Sequence, residues 1–268
     1  MSVLEKFRLD GRVAIVTGAG KGIGAEISVA FAEAGADVAI LARTVADLEH
    51  VAGAVREHGR RALIVPTDVM ELEALSGAVD RTVGELGGID IVVNNAGGAI
   101  PAPFMDTRAE HMEWAFRFNV SAPVEMTRLT APHMLARGGG SVLNIGSMTG
   151  VHASRGYLAY GTAKAAVAHA TQLMASDLAP RIRVNAIMPG AVETWALNWF
   201  LNYKEEQGDP VRDTMIERTL LQRNGTPADV AAAALFLCSD AASWITGKIL
   251  EVDGGWSFEL LPRTIPDL

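Results

Sequence analysis

The sequence predicts an α/β protein in which a doubly wound parallel sheet of seven strands carries helices on both faces, as a single domain over residues 1–268. Seven short apolar runs are continuous rather than alternating, which indicates strands that are buried on both faces. Stretches with helical periodicity separate most of these runs. No linker or repeat divides the chain, and α/β sheets of about 250 residues commonly form one domain.

The first strand meets a glycine cluster, after which Ile23, Ile27 and Phe31 share one face of a predicted helix that ends at Gly35. The second strand leads into a helical segment for which Thr44 is the predicted N-cap. The same alternation continues along the chain. The predicted strands are Val13 to Val16, Val38 to Leu41, Ala62 to Val65, Ile89 to Val93, Val142 to Ile145, Ile182 to Ile187 and Ile249 to Val252.

Two segments interrupt this alternation, residues 97–106 and residues 191–225. The second segment follows a strand and carries Trp195 and Trp199. Long insertions at such positions are commonly binding loops, so we predict a substrate loop within the domain. A helical hairpin that only covers surface is the alternative.

The composition excludes several classes of protein. The net charge is −8 and no stretch is rich in Lys and Arg, so neither nucleic acid nor an anionic membrane surface is an expected partner. Cys238 is the single cysteine, which excludes an intramolecular disulfide and fits a reducing compartment. The first residues lack the apolar core of a secretory signal, and no run approaches the ~18 apolar residues of a membrane helix. We therefore predict a cytoplasmic protein.

The sequence TGAGKGIG (17–24) lies between the first strand and the first helix. Glycines there let the backbone approach a diphosphate, and the helix N-terminus supplies N–H groups and a partial positive charge. A simple tight turn is the alternative. The position after the first strand, before a second β unit, matches the dinucleotide-binding fingerprint.

The end of the second strand predicts which dinucleotide binds. An acidic residue there binds the ribose 2′-hydroxyl of NAD, whereas a basic residue accommodates the 2′-phosphate of NADP. This strand ends with Arg43 and Thr44, and Lys21 adds a nearby positive charge. The pattern favours NADP(H). A solvated surface role for Arg43, with NAD(H) as cofactor, is the alternative.

Polar residues also follow the third and fourth strands. Asp68 is placed to meet an adenine edge, or to cap a helical segment that starts at Val69. Asn94 and Asn95 close the fourth strand, where their amides could tie neighbouring strands, and the small pair that follows would let a ligand lie close. A plain turn is the alternative.

Ser147, Tyr160 and Lys164 form the second candidate cluster. Lys164 is the only charged residue in an apolar stretch, and Tyr160 lies four residues before it, on the same helical face. A nearby ammonium would favour the phenolate and lower the tyrosine pKa, which suits a general acid or base. Tyr157 lacks such a partner four residues on, so we assign it to pocket lining or packing. The Ser147 hydroxyl could bind a substrate carbonyl oxygen or cap a helix.

Together, TGAGKGIG, NNAG (94–97), Ser147 and YGTAK (160–164) resemble the classical short-chain dehydrogenase/reductase family, whose pattern is TGxxxGxG, NNAG, an upstream serine and YxxxK. The resemblance covers nearly the whole chain. It implies a Rossmann-type fold and hydride transfer between the nicotinamide C4 and a carbonyl or secondary alcohol carbon.

The resemblance also implies roles for individual residues. Tyr160 would exchange a proton with the substrate oxygen, and Lys164 would hold the nicotinamide ribose and lower the tyrosine pKa. Ser147 would orient the carbonyl, and Asn119 would position a water that links Lys164 to solvent. The candidate cofactor-binding residues are Gly18, Lys21, Gly22, Ile23, Gly24, Arg43, Thr44, Asp68, Val69, Asn95, Ala96, Gly97, Tyr160, Lys164, Pro189, Gly190, Val192 and Thr194.

The segment GGAIPAPF (97–104) is similar to the 7α-hydroxysteroid dehydrogenase branch of the family, and 3-oxoacyl-[acyl-carrier-protein] reductases are the other members that the chain resembles. The substrate is therefore predicted to be a hydrophobic ketone or alcohol. A 3-oxoacyl-[acyl-carrier-protein] reductase and an NAD-dependent hydroxysteroid dehydrogenase are the alternatives. Candidate substrate-binding residues, each with core packing as its alternative, are Met148, His152, Trp195 and Trp199.

Two other classes fit the motifs less well. A non-catalytic nucleotide-sensing protein would not need both Tyr160 and Lys164. A serine hydrolase would need a G-x-S-x-G elbow, but Thr149 stands where the second glycine is required. The six histidines show no metal-ligand spacing, so no catalytic metal is predicted. The helix of small residues from Ala159 to Ala175, together with the family resemblance, predicts a homo-oligomer, specifically a tetramer.

Overall fold

The computed structural model describes residues 2–202 and 208–256. Residue 1 and residues 257–268 of the predicted domain lie outside the described residues. The same holds for residues 203–207 of the predicted substrate loop.

Seven strands form one parallel sheet in the order β3-β2-β1-β4-β5-β6-β7. This confirms the predicted Rossmann-type fold, and every predicted strand is observed to within two residues at each end. The strands are β1 (Val13–Thr17), β2 (Asp37–Ala42), β3 (Ala62–Pro66), β4 (Ile91–Asn94), β5 (Gly140–Ile145), β6 (Ile182–Pro189) and β7 (Ile249–Val252).

Helices follow most of the strands and cover both faces of the sheet. They are α1 (Gly22–Glu33), α2 (Val45–Glu57), α3 (Leu72–Leu86), α4 (Ala109–Phe116), α5 (Ala122–Ala136), α6 (Leu158–Leu178), α7 (Trp195–Asn202), α8 (Gly208–Glu217) and α9 (Pro227–Cys238). A π-helical turn, Arg117–Ser121, joins α4 to α5. Among the described residues, none of the helices has both the length and the apolar character needed to span a membrane.

The hydrophobic core consists of two layers, one on each face of the sheet. Phe31 of α1 and Leu48 of α2 belong to the layer that also contains α9, whereas Leu75 of α3 and Met126 of α5 belong to the other. Strand β1 is buried at all five positions and contributes alternate residues to the two layers. This double burial explains why the strands read as continuous apolar runs.

The strand order reverses at β1, because β2 and β3 lie on one side of it while β4 to β7 lie on the other. In an open α/β sheet, the crevice beyond the carboxyl ends of the strands at such a reversal is where ligands bind. The site must therefore be built from the residues that follow β1 and β4, and from their neighbours on β2, β5 and β6.

The structure refines three local predictions. Thr44 precedes α2, but its side chain makes no capping hydrogen bond. Asp68 does not cap a helix, because its Oδ1 accepts a hydrogen bond from the Met70 N–H at 3.0 Å and α3 begins only at Leu72. The described part of residues 191–225 contains α7 and α8, so this segment is largely helical, as in the helical alternative that the sequence left open.

Candidate active site

The glycine-rich turn begins directly after β1 and ends in the first turn of α1. Gly18 and Gly22 adopt positive φ angles of 63° and 59°, which L side chains rarely adopt. Gly24 allows a close approach, because a Cβ there would lie 2.5 Å from the Gly18 carbonyl oxygen. The turn therefore brings the N-terminus of α1 against the end of β1, an arrangement that suits a diphosphate.

The asparagines after β4 hold the two sides of the crevice together. The amide of Asn95 donates to the carbonyl oxygens of Thr17 and Gly18 at 2.9 and 3.1 Å, and the Thr17 hydroxyl accepts from the N–H groups of Asn95 and Ala96. The buried amide of Asn94 donates to Asn144 of β5 at 2.9 Å. The asparagines thus tie neighbouring strands, as their position at the strand end indicates.

Two basic side chains lie near the end of β2, and each faces a carboxylate. The Arg43 Nη1 lies 3.8 Å from the Asp68 Oδ2, with the arginine side chain 79% exposed. The Lys21 Nζ lies 3.2 Å from the Asp47 Oδ2 and 5.5 Å from the centre of the Trp195 ring. Exposed ion pairs of this kind contribute little to stability, so both cations are free to meet an anionic ligand.

Tyr160 and Lys164 lie in the first turns of α6, next to the end of β5. The Lys164 side chain is buried, and its Nζ donates to the Ile145 carbonyl oxygen at 2.7 Å. The same nitrogen lies 5.6 Å from the centre of the Tyr160 ring. The Ser147 Oγ accepts hydrogen bonds from the Thr149 N–H and hydroxyl, so Ser147 does cap the short 3₁₀ turn that follows β5.

The pKa values in this cluster are set mainly by burial. Burial raises the pKa of Tyr160 to about 12, although the Ser147 hydroxyl opposes this shift. Burial also lowers the pKa of Lys164 to about 7. The four-residue spacing predicts a lowered pKa for Tyr160, and this is not found in the chain without its ligands. Burial removes water from the Tyr160 phenolate and the Lys164 ammonium, and this disfavours both charged forms more than the neighbouring groups stabilise them.

Asn119 is buried within the π-helical turn and faces the loop after β4. Its amide donates to the carbonyl oxygens of Ala115 and Gly98 at 2.8 and 2.9 Å, and its Oδ1 accepts from the Gly98 N–H at 3.0 Å. A Cβ added at Gly97 would lie 2.7 Å from this Oδ1 and 3.0 Å from the Lys164 Nζ. Asn119, Gly97 and Lys164 are therefore immediate neighbours, and π-helical turns are frequent at functional sites.

The end of β6 completes the crevice. Gly190 donates from its backbone N–H to Val252 of β7 at 3.0 Å. The Thr194 methyl group would lie 3.2 Å from a Cβ at Gly22, so the residues after β6 face the glycine turn. The Thr194 hydroxyl accepts from the Leu197 N–H at 3.2 Å and caps α7.

Comparison with known proteins agrees with this geometry. The family profile described as enoyl-(acyl carrier protein) reductase matches residues 18–257. An uncharacterised oxidoreductase of Mycobacterium tuberculosis is 48% identical over 267 residues, covering 99% of this chain and 100% of that protein. A solved 7α-hydroxysteroid dehydrogenase, in complex with NADH and 7-oxo glycochenodeoxycholic acid, superposes with a TM-score of 0.90 at 40% identity, with 97% of this chain and 100% of that chain covered.

The chain belongs to the short-chain dehydrogenase/reductase family. It is an oxidoreductase of hydroxyl and carbonyl groups with a nicotinamide cofactor. A further structural relative, the L-sorbose reductase of Gluconobacter frateurii in complex with NADPH and L-sorbose, has a TM-score of 0.89 at 31% identity, with 95% of this chain and 100% of that chain covered. These two structural relatives thus hold different nicotinamide cofactors, NADH in one and NADPH in the other.

The remaining predicted residues of this short-chain dehydrogenase/reductase differ in how well the structure groups them. Ile23 is half-buried in α1, and Val69 and Val192 are buried. Among the candidate substrate residues, Met148 is buried and His152 is half-buried, whereas Trp195 and Trp199 are 62% and 41% exposed on α7. The contacts of Thr194 and Trp195 bring the start of α7 to the glycine turn.

Sequence reasoning missed three charged residues at this site, namely Asp47, Glu193 and Arg212. Asp47 lies in the first turn of α2, and its Cβ would be 3.1 Å from a Cβ at Gly20. Glu193 forms an ion pair with Arg212 of α8. Glu193 could have been identified from the sequence, because it directly precedes the candidate cofactor residue Thr194. Its pairing with Arg212 could not, because that contact depends on how α8 folds back onto the turn after β6.

Proposed function

We propose that this short-chain dehydrogenase/reductase is NADP(H)-dependent and transfers a hydride between the nicotinamide C4 and a carbonyl or secondary alcohol carbon of a hydrophobic substrate. The juxtaposition of Tyr160 with the buried Lys164, beside Gly97 and Asn119, carries this proposal. A buried lysine next to a tyrosine at the carboxyl edge of the sheet provides both a proton donor and a cation where a polar substrate oxygen can be bound.

The chain's own residues fit the dinucleotide. The glycine turn and the N-terminus of α1 would hold the diphosphate. A side chain at position 22 would crowd Thr194, and the glycine leaves this space open. Asp68 and Val69 would contact the adenine, Asn95 to Gly97 the adenosine ribose, and Tyr160 with Lys164 the nicotinamide ribose. Pro189, Gly190, Val192 and Thr194 would face the nicotinamide end.

The preference for NADP(H) is supported by the charges around β2. Ala42 and Arg43 occupy the strand end where an acidic residue would select NAD. Arg43 and Lys21 are solvent-accessible and weakly paired, so both can turn to a 2′-phosphate. Thr44 could add a hydroxyl donor. The carboxylates of Asp47 and Asp68 compete for these cations, which predicts a moderate rather than an absolute preference.

A bound nicotinamide supplies or accepts the hydride. In the reductive direction the Tyr160 hydroxyl donates a proton to the substrate oxygen, and the Ser147 hydroxyl donates a hydrogen bond to the same atom. The raised pKa of Tyr160 keeps the phenol protonated near neutral pH, which suits the general acid. A protonated Lys164 would stabilise the phenolate that remains, and Asn119 would connect Lys164 to solvent through a water.

The exposed Trp195 and Trp199 favour a hydrophobic substrate, with Met148 and His152 as further candidate contacts. The ketone in the hydroxysteroid dehydrogenase complex, 7-oxo glycochenodeoxycholic acid, is a suitable probe. We further propose that the protein is a cytoplasmic homotetramer. Exposed apolar side chains on α5 and α6, including Val124, Leu158 and Leu173, support self-association.

A side-by-side titration of the purified protein with NADPH and NADH, read by fluorescence or calorimetry, tests the cofactor. Tighter binding of NADPH is the expected result, and equal or tighter binding of NADH would contradict the preference. Turnover is then measured with NADPH against 7-oxo glycochenodeoxycholic acid, other hydrophobic ketones and a 3-oxoacyl thioester. Reduction of none of these by protein that binds the cofactor would contradict the proposed reaction.

A further inference from the structure

A charged network joins the turn after β6 to both helices of the 191–225 segment. Both carboxylate oxygens of Glu193 accept hydrogen bonds from the Arg212 Nη1, and Glu193 Oε1 also accepts from the Asn224 amide at 2.7 Å. The Arg212 Nη2 donates to the Asn198 Oδ1 on α7 at 2.7 Å. We call these four residues, Glu193, Arg212, Asn224 and Asn198, the Glu193 clasp.

Three residues of the clasp, Glu193, Arg212 and Asn224, are partly or fully shielded from solvent, whereas Asn198 on α7 is exposed. The side chains of Glu193 and Arg212 are 35% and 30% exposed, and Asn224 is buried. Burial opposes ionisation of Glu193, but the hydrogen bonds from Arg212 and Asn224 outweigh it and hold the pKa of the carboxyl below its usual range. Glu193 is therefore ionised at neutral pH, and the charge-assisted hydrogen bonds are of the stronger kind.

Backbone contacts attach the same turn to the chain that leads into α9. The Glu193 N–H donates to the Gly225 carbonyl oxygen, and the Gly225 N–H donates to the Ala191 carbonyl oxygen, each at 2.8 Å. These bonds fix the turn itself, but they do not reach α7 or α8. The Arg212 side chain joins all three, because it bonds Glu193 in the turn and Asn198 on α7 from its own position on α8.

The clasp lies next to residues that face the proposed site. Thr194, which directly follows Glu193, caps α7 and lies against Gly22. Trp195 and Trp199, the exposed aromatic residues that we assign to the substrate, are on α7. On the other side, the contact between Trp195 and Lys21 involves an exposed lysine that also faces Asp47, so it constrains α7 weakly.

We propose that Glu193 and Arg212 are positioning residues that hold α7, and with it Trp195 and Trp199, at the substrate side of the crevice. The inference rests on the proposed function, because it assigns the tryptophans to substrate binding. Neither Glu193 nor Arg212 is assigned a contact with the reacting atoms. Replacing either residue should therefore weaken the binding of the ketone. The chemical step at Tyr160 should persist, and so should cofactor binding at the ends of β1 and β2.

The test compares Arg212→Gln and Glu193→Gln with the wild type, using NADPH and 7-oxo glycochenodeoxycholic acid. Each variant should raise the KM for the ketone about tenfold, as expected for loss of a charge-assisted contact, while kcat and the Kd for NADPH change less than about twofold. Arg212→Lys, which keeps the charge but not the fork to Asn198, should give an intermediate KM. Arg81→Gln, which breaks the exposed Arg81–Glu85 pair on α3, is the matched control and should change no constant.

An unchanged KM in Arg212→Gln would overturn the proposal, and so would a uniform loss of kcat, KM and cofactor affinity together with a lower Tm. If Arg212→Gln does not fold, Asn198→Ala removes only the link to α7 and should raise KM about threefold; no change would overturn the proposal equally.

Amide hydrogen exchange of α7 tests the positioning role without requiring turnover, so it can succeed or fail independently of the proposed reaction. The amides of α7 should exchange about tenfold faster in Arg212→Gln than in the wild type, because α7 loses a tertiary contact that keeps it closed against local opening. Unaltered exchange in α7 would overturn the positioning role. If the wild type binds NADPH but reduces no ketone, the proposed reaction fails, while the exchange result still decides whether the clasp orders α7.

Discussion

At the scale of single residues, the site depends on a few groups that burial has brought together. Tyr160 is the group to which we assign the proton transfer, and Tyr157 lies beside it with a ring-centre separation of 6.2 Å. Both phenols have raised pKa values, and burial is the first cause for each. The Lys164 Nζ lies 5.6 Å from the centre of the Tyr160 ring, which distinguishes the tyrosine assigned to the chemistry.

Replacing Tyr160 with Phe should remove the proton donor without changing the shape of the site. We expect turnover to fall by at least about a hundredfold, with the Kd for NADPH nearly unchanged. Tyr157→Phe is the matched control and should keep most of the activity. Measurement of kcat, together with a fluorescence titration of the cofactor, checks both variants; comparable losses in the two would remove Tyr160 from its assigned role.

Substitutions around β2 test the cofactor preference from two directions. Arg43→Leu should weaken NADPH about tenfold or more and leave NADH almost unaffected, since only NADPH offers a 2′-phosphate. Asp47→Asn should do the opposite and strengthen NADPH binding, because the Asp47 carboxylate, 3.2 Å from the Lys21 Nζ, no longer competes with the phosphate for this lysine. The two Kd values for each cofactor provide the check. Equal effects on NADPH and NADH would show that these side chains do not meet the phosphate.

The long-range pairs could not be predicted from the sequence. Lys21 and Arg43 were identified because they belong to strand-end motifs, but Asp47 was not, since its proximity to Lys21 depends on the direction in which α2 leaves β2. Glu193 and Arg212 are separated by 19 residues and meet only when α8 folds back. The predicted lowering of the Tyr160 pKa was wrong for the chain alone, because spacing gives proximity and not burial.

At the scale of elements, the strands were predictable because each is buried on both faces and reads as an apolar run. The two helices within residues 191–225 agree with the helical hairpin that the sequence left open as an alternative, whereas the π-helical turn at Arg117–Ser121 was not predictable. The π-helical turn is stabilised partly by the Asn119 side chain, which bonds Ala115 in its own helix and Gly98 in a distant loop. No local pattern in the sequence distinguishes this asparagine from one on a helix surface.

A substitution at Gly97 tests how closely the loop after β4 packs against the π-helical turn and α6. Gly97→Ala would place a methyl group 2.7 Å from the Asn119 Oδ1 and 3.0 Å from the Lys164 Nζ, so one of the two groups must move. We expect at least a tenfold loss of kcat/KM, as is typical when a small displacement disturbs reacting groups. Gly77→Ala in α3 meets open space and should raise stability by about 0.4–1 kcal/mol with no loss of activity. Steady-state kinetics and urea unfolding of both variants test these expectations. Full activity in Gly97→Ala would show that Asn119 and Lys164 can move without harm to the reaction.

At the scale of the whole molecule, the buried Lys164 links folding to pH. Its pKa is about 7 in the folded chain, below the ordinary value of 10.5 that applies to the unfolded chain. Between these values the unfolded chain binds a proton that the folded chain does not, so the free energy of unfolding rises as the pH increases from about 7 to about 10.5. Below pH 7 both states are protonated, and the cost of the buried charge is fully present.

Replacing Lys164 with Met removes this titration and keeps an apolar side chain of similar length. The difference in unfolding free energy between the wild type and Lys164→Met should shift in favour of the wild type by up to about 3 kcal/mol between pH 7.0 and pH 9.5. Urea unfolding at the two pH values measures it, and groups common to both proteins cancel in the difference. Lys248→Met, at an exposed lysine, is the control and should give no such shift. A difference that stays constant with pH would mean that Lys164 keeps its proton in the folded chain, so that the cation needed beside Tyr160 is present over this whole range.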